Sequence, residues 1–251
     1  MSEIKIAEEN SILTITLNHP EKRNALNDAL VKSLKEVLRE ADSNERLRAI
    51  VIRGAGKDFC SGADLSALQK IAESDVMENL ADAENLLELF SLIRKIKIPV
   101  IGVVHGRALA GGCGLATACD LVLATKSARF GYPEVKIGFV AAMVMAILRR
   151  NLSEKRAFEL VTQGFEFSSD EAEKIGLINH VFDDETFDED VKKYVSVYEK
   201  VSRSAVILSK KLLYQMDGMT FETALETGAE VNTIARLTED CRKGIARFLE
   251  K

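Results

Sequence analysis

The 251-residue sequence predicts an α/β fold, with a core over 1–185 followed by a helical region over 186–251. Three observations predict it. Short apolar runs alternate with amphipathic helical segments as far as about residue 140, the pattern of crossovers that pack helices on a largely parallel sheet. Beyond that point helical periodicity dominates. Hydrophobic residues make up 47% of the chain and charged residues 29%, enough apolar surface for a large core and enough charge to solvate it.

The elements follow in order. SILTITL at 11–17 sets Leu13, Ile15 and Leu17 against Ser11, Thr14 and Thr16, a half-buried strand. Asn27 caps a helix that runs to about Glu40, with Leu30, Val31, Leu34, Val37, Leu38 and Ala41 as its apolar stripe. Leu47 to Arg53 is a second strand, closed by Gly54-Ala-Gly56. A long helical region spans 65–96, Pro99 to Val104 is a third strand, and Asp120 to Ala124 a fourth. Helices follow at 140–150, 154–163 and 169–175; Ser168 with Glu171 forms a capping box for the last, and Gly176 stops it. Leu177 to Phe182 is extended, and three helices fill 186–249. Their stripes, around Val195, Val201, Leu208, Leu212, Leu225 and Leu237, need cover from the chain's own core or from another subunit.

Several functions are disfavoured. A net charge of −5 provides no global positive field for nucleic acid or anionic membranes. Cys60, Cys113, Cys119 and Cys241 show no CxxC spacing and read as thiols of a reducing compartment. MSEIKIAEEN carries no apolar signal core, and no apolar run reaches the ~18 residues of a membrane span, so a cytoplasmic protein is expected. His19, His105 and His180 lack metal-ligand spacing; neither a metal nor a redox cofactor is expected. Gly112-Cys-Gly114-Leu-Ala-Thr117 departs from GxGxxG at Thr117. Gly54-Ala-Gly56-Lys57-Asp58 lacks phosphate-loop spacing, and Phe59-Cys-Ser61 lacks the glycine of a nucleophile elbow.

Two glycine-bearing segments remain, Cys60-Ser-Gly-Ala-Asp-Leu65 and Ala110-Gly-Gly-Cys-Gly114. Each follows a strand and opens a helix, where the first backbone N–H groups are free. Two such groups aimed at one point make an oxyanion hole, aided by the helix dipole. The competing reading is that the glycines only let helices approach strands closely. In FGYPEVKIG at 130–138, Pro133 presents Glu134 among Phe130, Tyr132, Val135 and Ile137. A carboxylate in apolar surroundings suits general acid–base work; the alternative is a surface salt-bridge residue.

Together these segments resemble the crotonase superfamily of enoyl-CoA hydratases and isomerases over nearly the whole chain. HPEKRNALN at 19–27, FCSGADL at 59–65, ALAGGCGLATACD at 108–120 and FGYPEVKIGF at 130–139 carry the resemblance, in matching order and spacing. It implies a spiral of ββα units with a helical C-terminal trimerisation region. It implies that the N–H groups of Ala63 and Gly111 grip a thioester carbonyl and that Glu134 is a catalytic glutamate. It also implies that Lys22, Arg23 and Ala25, with Ala63, Asp64 and Leu65, cradle coenzyme A, while Gly111, Gly114 and Phe139 meet the substrate. The coenzyme A thioester is then the substrate, no separate cofactor is needed, and the chain forms a homotrimer or a dimer of trimers. Two departures stand out: the second hydratase glutamate is replaced by Gly114, and a family Pro-Gly-x-Gly-Gly run by Val140-Ala-Ala-Met-Val-Met145. One glutamate with an oxyanion hole suffices for double-bond isomerisation, and hydration stays open. The reading from another class is a catalytically silent acyl-CoA- or partner-binding protein.

Overall fold

The structure, a computed structural model, describes residues 2–250, with the backbone alone described at 65–67. In chain order the first half contains β1 (Ile4–Glu9), β2 (Ile12–Leu17), α1 (Asp28–Ser43), β3 (Ala49–Gly54), α2 (Leu65–Glu73), α3 (Val76–Lys95), β4 (Val100–Val104), β5 (Arg107–Leu109), α4 (Gly111–Ala118), β6 (Leu121–Thr125) and β7 (Arg129–Gly131). A 3₁₀ turn over Pro133–Ile137 leads to α5 (Ala142–Asn151), α6 (Glu154–Gln163), β8 (Glu166–Ser168), α7 (Ser169–Lys174) and β9 (His180–Phe182). The chain ends in α8 (Phe187–Val195), α9 (Val197–Lys200), α10 (Arg203–Gln215), α11 (Phe221–Leu237) and α12 (Glu239–Leu249).

Six strands form one sheet in the order β1-β2-β3-β4-β6-β9. It is parallel except for the β1–β2 hairpin. Three short strands make a second sheet, β5-β7-β8. The central strands of the main sheet are buried on both faces, which is why they read as continuous apolar runs. Ile50 and Ile52 of β3 point into the main core, with Leu30, Leu34 and Leu38 of α1 and Leu89 and Ile93 of α3. Ala49 and Val51 face the other way, under Phe187, Val191 and Val195 of α8. Asn27 caps α1 by accepting from Leu30 N–H at 2.8 Å.

The alternating core and the helical C-terminal region are present; the three-residue strands β5, β7 and β8 are additions to the sequence reading, and four further differences stand beside them. β1 has no period to read in the sequence, because only Ile4 of its six residues is buried. The helical stretch at 65–96 is two helices, because Asp75 and Glu78 form a capping box that restarts the chain. The extended segment at 177–182 is a strand only over His180–Phe182. Five α-helices, not three, occupy 187–249.

Beyond α8, a buried polar cluster ties α10 to the core. Lys210 Nζ on α10 donates to Asp120 Oδ2 at 2.6 Å and to the carbonyls of Ile98 (3.0 Å) and Ile93 (3.3 Å). Asp120 Oδ2 also accepts the Val100 N–H at 2.7 Å, and Oδ1 accepts the Tyr214 hydroxyl at 2.6 Å. Burial holds the Lys210 ammonium below its usual range, against the opposing pull of Asp120. Farther out α11 and α12 leave large apolar side chains exposed, Phe221 at 73% and Phe248 at 79% among them. Among the described residues no helix is long and apolar enough to cross a membrane.

Candidate active site

Three loop segments converge at the start of α4. The first, 22–26, is shaped by two consecutive left-handed residues, Arg23 and Asn24, both at φ 52°. Asn24 holds that conformation by donating its side-chain amide to the carbonyls of Ala55 and Asp58, each at 2.8 Å. The second segment, 61–64, pairs with the first. Ser61 N–H donates to Arg23 O at 3.0 Å and Leu26 N–H to Gly62 O at 2.7 Å, while Lys22 Nζ meets Asp64 Oδ2 at 2.8 Å. That bond holds the exposed Lys22 ammonium above its usual range. Arg23 Nε lies 3.7 Å from Asp58 Oδ2. Asp58 is itself buried and accepts the Arg107 N–H at 2.9 Å, which anchors β5.

The 61–64 segment lies directly on the opening of α4. Gly62 has φ +92°, and a Cβ there would stand 2.8 Å from Ala110 Cβ and 3.4 Å from Gly111 N. Any side chain would drive the two segments apart. Ala110, the residue before the helix, adopts φ 49° and ψ −128°. That region costs an L-residue on the order of 1–3 kcal/mol. It is held by Ala110 N–H donating to Gly131 O at 2.9 Å and by Gly114 N–H donating to Ala110 O at 3.0 Å. Gly111 then supplies the first N–H of the helix. Among the described residues none accepts from the N–H of Ala63 or of Gly111. Both donors lie on adjoining segments, one of them at the positive end of a helix, where backbone N–H groups suit an anion.

The glycines of α4 divide their work. Gly112 has the bland role: its Cβ would stand 2.2 Å from Cys60 O, so it lets the helix lie against the 60–62 backbone. Gly114 is buried, and a Cβ there would stand 2.5 Å from Val144 Cγ1 and 3.0 Å from Phe90 Cζ. Two apolar side chains thus crowd the space in which a larger residue at 114 would begin. Gly114→Ala is expected to lower stability by about 1–3 kcal/mol through overpacking, and Val144→Ala in the same chain to recover most of the loss. Urea unfolding of the parent, the single variant and the double variant checks this.

Glu134 sits in the first turn of the 3₁₀ segment, with Pro133 at its start. Its Oε2 is buried and has no hydrogen-bond partner. Burial raises its carboxyl above the usual range, against a smaller opposing effect of its own backbone hydrogen bond. Phe130 and Tyr132 are fully buried beside it in sequence, whereas Val135 and Ile137 face outward. Phe139 is half exposed, and its N–H donates to Glu134 O at 3.0 Å.

Of the residues expected at a site, the structure gathers Lys22, Arg23, Ala63, Asp64 and Gly111 around the α4 start and ties the Glu134 segment to the same helix at Ala110. Ala25 is buried in the loop that carries Lys22 and Arg23, and the Leu65 side chain lies outside the described residues. Phe90 and Val144, which close the space at Gly114, were not singled out in the sequence; each read as one more apolar residue on a helix. Asn24 lies inside HPEKRNALN, and an Asn after Arg23 carries a signal of its own, since Asn tolerates left-handed backbone.

The profile of the family described as enoyl-CoA hydratase/isomerase matches residues 7–251. A provisionally named enoyl-CoA hydratase of Thermus thermophilus is 37% identical over 244 residues, covering 97% of this chain and 96% of that protein. The 2,3-dehydroadipyl-CoA hydratase of Escherichia coli is 32% identical over 252 residues, covering 100% and 97%. The crystal structure of an enoyl-CoA hydratase from Mycobacterium smegmatis superposes with a TM-score of 0.95 at 30% identity, covering 99% of this chain and 96% of that one. By sequence and by fold, including the helical C-terminal region, this chain belongs to the enoyl-CoA hydratase/isomerase family.

Proposed function

We propose that this enzyme moves a proton at the α-carbon of an enoyl-CoA thioester, with the N–H groups of Ala63 and Gly111 as the oxyanion hole and Glu134 as the single catalytic carboxylate. The observation that carries the reading is the buried, unpartnered Glu134 Oε2 on a segment hydrogen-bonded to the helix whose first N–H is unspent. Proton loss or gain at the α-carbon places negative charge on the thioester oxygen. Donors already aimed at that oxygen stabilise it without reorganisation, each worth ~2.7–4 kcal/mol of barrier. Glu134, made more basic by desolvation, takes or returns the proton. Lys22, Arg23, Ala25, Asp64 and Leu65 form the coenzyme A cradle, and Gly111, Gly114 and Phe139 border the acyl group. The chemistry needs only acid–base and hydrogen-bonding groups, so the thioester is substrate and no metal or redox cofactor takes part. The apolar residues exposed on α11 and α12 support assembly into a homotrimer or a dimer of trimers, and unpaired thiols at all four cysteines accord with a cytoplasmic location.

The test is mass spectrometry in deuterium oxide on short and medium 2-enoyl- and 3-enoyl-CoA thioesters. Addition of water marks hydration; deuterium at the α- or γ-carbon without added water marks isomerisation. Binding of coenzyme A esters with neither outcome would make the protein a silent binder instead.

A further inference from the structure

We propose that Tyr132 is a positioning residue for the reaction above, locking the segment that carries Glu134 onto α4 through Thr117. The inference rests on that functional reading and concerns how base and oxyanion donors keep their spacing.

The geometry is specific. Tyr132 is fully buried, and its hydroxyl lies 3.2 Å from Thr117 Oγ1. Thr117 is 2% exposed, in the last turn of α4. Its Oγ1 donates to Cys113 O at 2.9 Å, one turn back along the helix. The same Oγ1 lies 3.3 Å from Gly114 O. The tyrosine hydroxyl, the threonine hydroxyl and the helix carbonyls thus form one connected set of hydrogen bonds. The Cys113 thiol adjoins the same hydroxyl.

The connection matters because of what lies at its ends. The strand leading to Glu134 is fixed to the start of α4 by Ala110 N–H donating to Gly131 O at 2.9 Å. Tyr132 adds a second tie, to the far end of the same helix. Two ties on one rigid helix fix both the position and the direction of the segment; one tie would leave it free to pivot. Glu134 is two residues beyond Tyr132, a span of at most ~7 Å, with Pro133 stiffening the step. The Glu134 carboxylate makes no hydrogen bond that would hold it in place from Oε2. Where the carboxylate sits therefore depends on the backbone beneath it. A shift on the order of 1 Å between reacting groups costs up to ~10²-fold in rate.

The experiment compares Tyr132→Phe, Thr117→Val, the double variant and Thr117→Ser with the parent and Glu134→Gln. A four-carbon 2-enoyl-CoA serves as probe at 25 °C, with circular dichroism to verify folding. Tyr132→Phe keeps the ring and leaves the Thr117–Cys113 bond intact, so the fold survives. The expected result is a fall of about 10-fold or more in kcat for Tyr132→Phe and Thr117→Val, with KM within twofold of the parent. The double variant should lose no more than the worse single one, since both remove one shared bond. Thr117→Ser, which keeps the hydroxyl, should retain most of the activity. A parent lacking Glu134-dependent turnover would overturn the functional reading and this proposal together. A working parent with Tyr132→Phe within twofold in kcat, or with losses that multiply in the double variant, would overturn the positioning role alone.

Discussion

Glu134→Gln is expected to lower turnover of an enoyl-CoA by ~10²–10⁴-fold and, at neutral pH, to raise the thermal midpoint. Glutamine keeps the shape of the side chain and removes the proton acceptor, so the rate loss reports acid–base work and not packing. The stability gain has a separate cause. Burial lifts the Glu134 carboxyl above the ordinary value of 4.5, because the charged form loses hydration and Oε2 finds no partner. A carboxyl whose pKa is raised on folding weakens the folded state wherever it must ionise. That penalty is absent below the unfolded value, grows as pH rises through the folded value, and is complete above it. The midpoints of parent and variant should therefore converge near pH 4 and separate with the variant higher as pH rises. In the parent, the acid limb of kcat/KM should fall above the ordinary carboxylate value, since only the ionised form accepts a proton. Melting curves and rate profiles across pH 4–8 check both halves. A variant as fast as the parent removes Glu134 from the mechanism.

Lys210→Met should be the most damaging single substitution in the C-terminal region, with an expected cost of about 3–5 kcal/mol. Lys210 and Asp120 are 8% and 12% exposed and 2.6 Å apart. Removing the ammonium leaves a desolvated carboxylate with only the Val100 N–H and the Tyr214 hydroxyl for compensation. Adding Asp120→Asn should recover much of the loss, because the asparagine oxygen still accepts one of those donors and no buried charge is left unbalanced. Exposed pairs offer the control: Lys243 with Glu239, one turn apart on α12, should be worth well under 1 kcal/mol. Urea unfolding at fixed protein concentration gives all these values. Near-equal losses at Lys210 and Lys243 would refute the account.

What could be read from the sequence follows from how local each cause is. α1 was legible because its cap, Asn27, directly precedes the 16-residue helix that carries its apolar stripe. The β3 and β4 runs were legible because burial on both faces leaves no polar interruptions. β5, β7 and β8 were not, since three residues are too few to display a period. The restart at Asp75 was legible in principle, as Asp-x-x-Glu, but was masked by apolar residues on both sides. At the site, the glycine segments and Glu134 stood out by composition and by family resemblance. The Lys210–Asp120 pair spans 90 residues and the Tyr132–Thr117 bond joins a strand end to a helix end. Neither leaves a local pattern. The crowding at Gly114 likewise exists only once α3 and α5 are packed against α4.

That crowding also constrains the order in which this lineage could change its chemistry. A carboxylate that arrives first at position 114 bears a packing cost, because its own Cβ would meet Val144 at 2.5 Å and Phe90 at 3.0 Å. A smaller residue at 144 or 90 relieves that cost. The intermediate with that smaller residue alone carries a cavity and loses stability without gaining a function. A change at position 114 is therefore coupled to its neighbours, and either order of the two substitutions passes through a less stable intermediate.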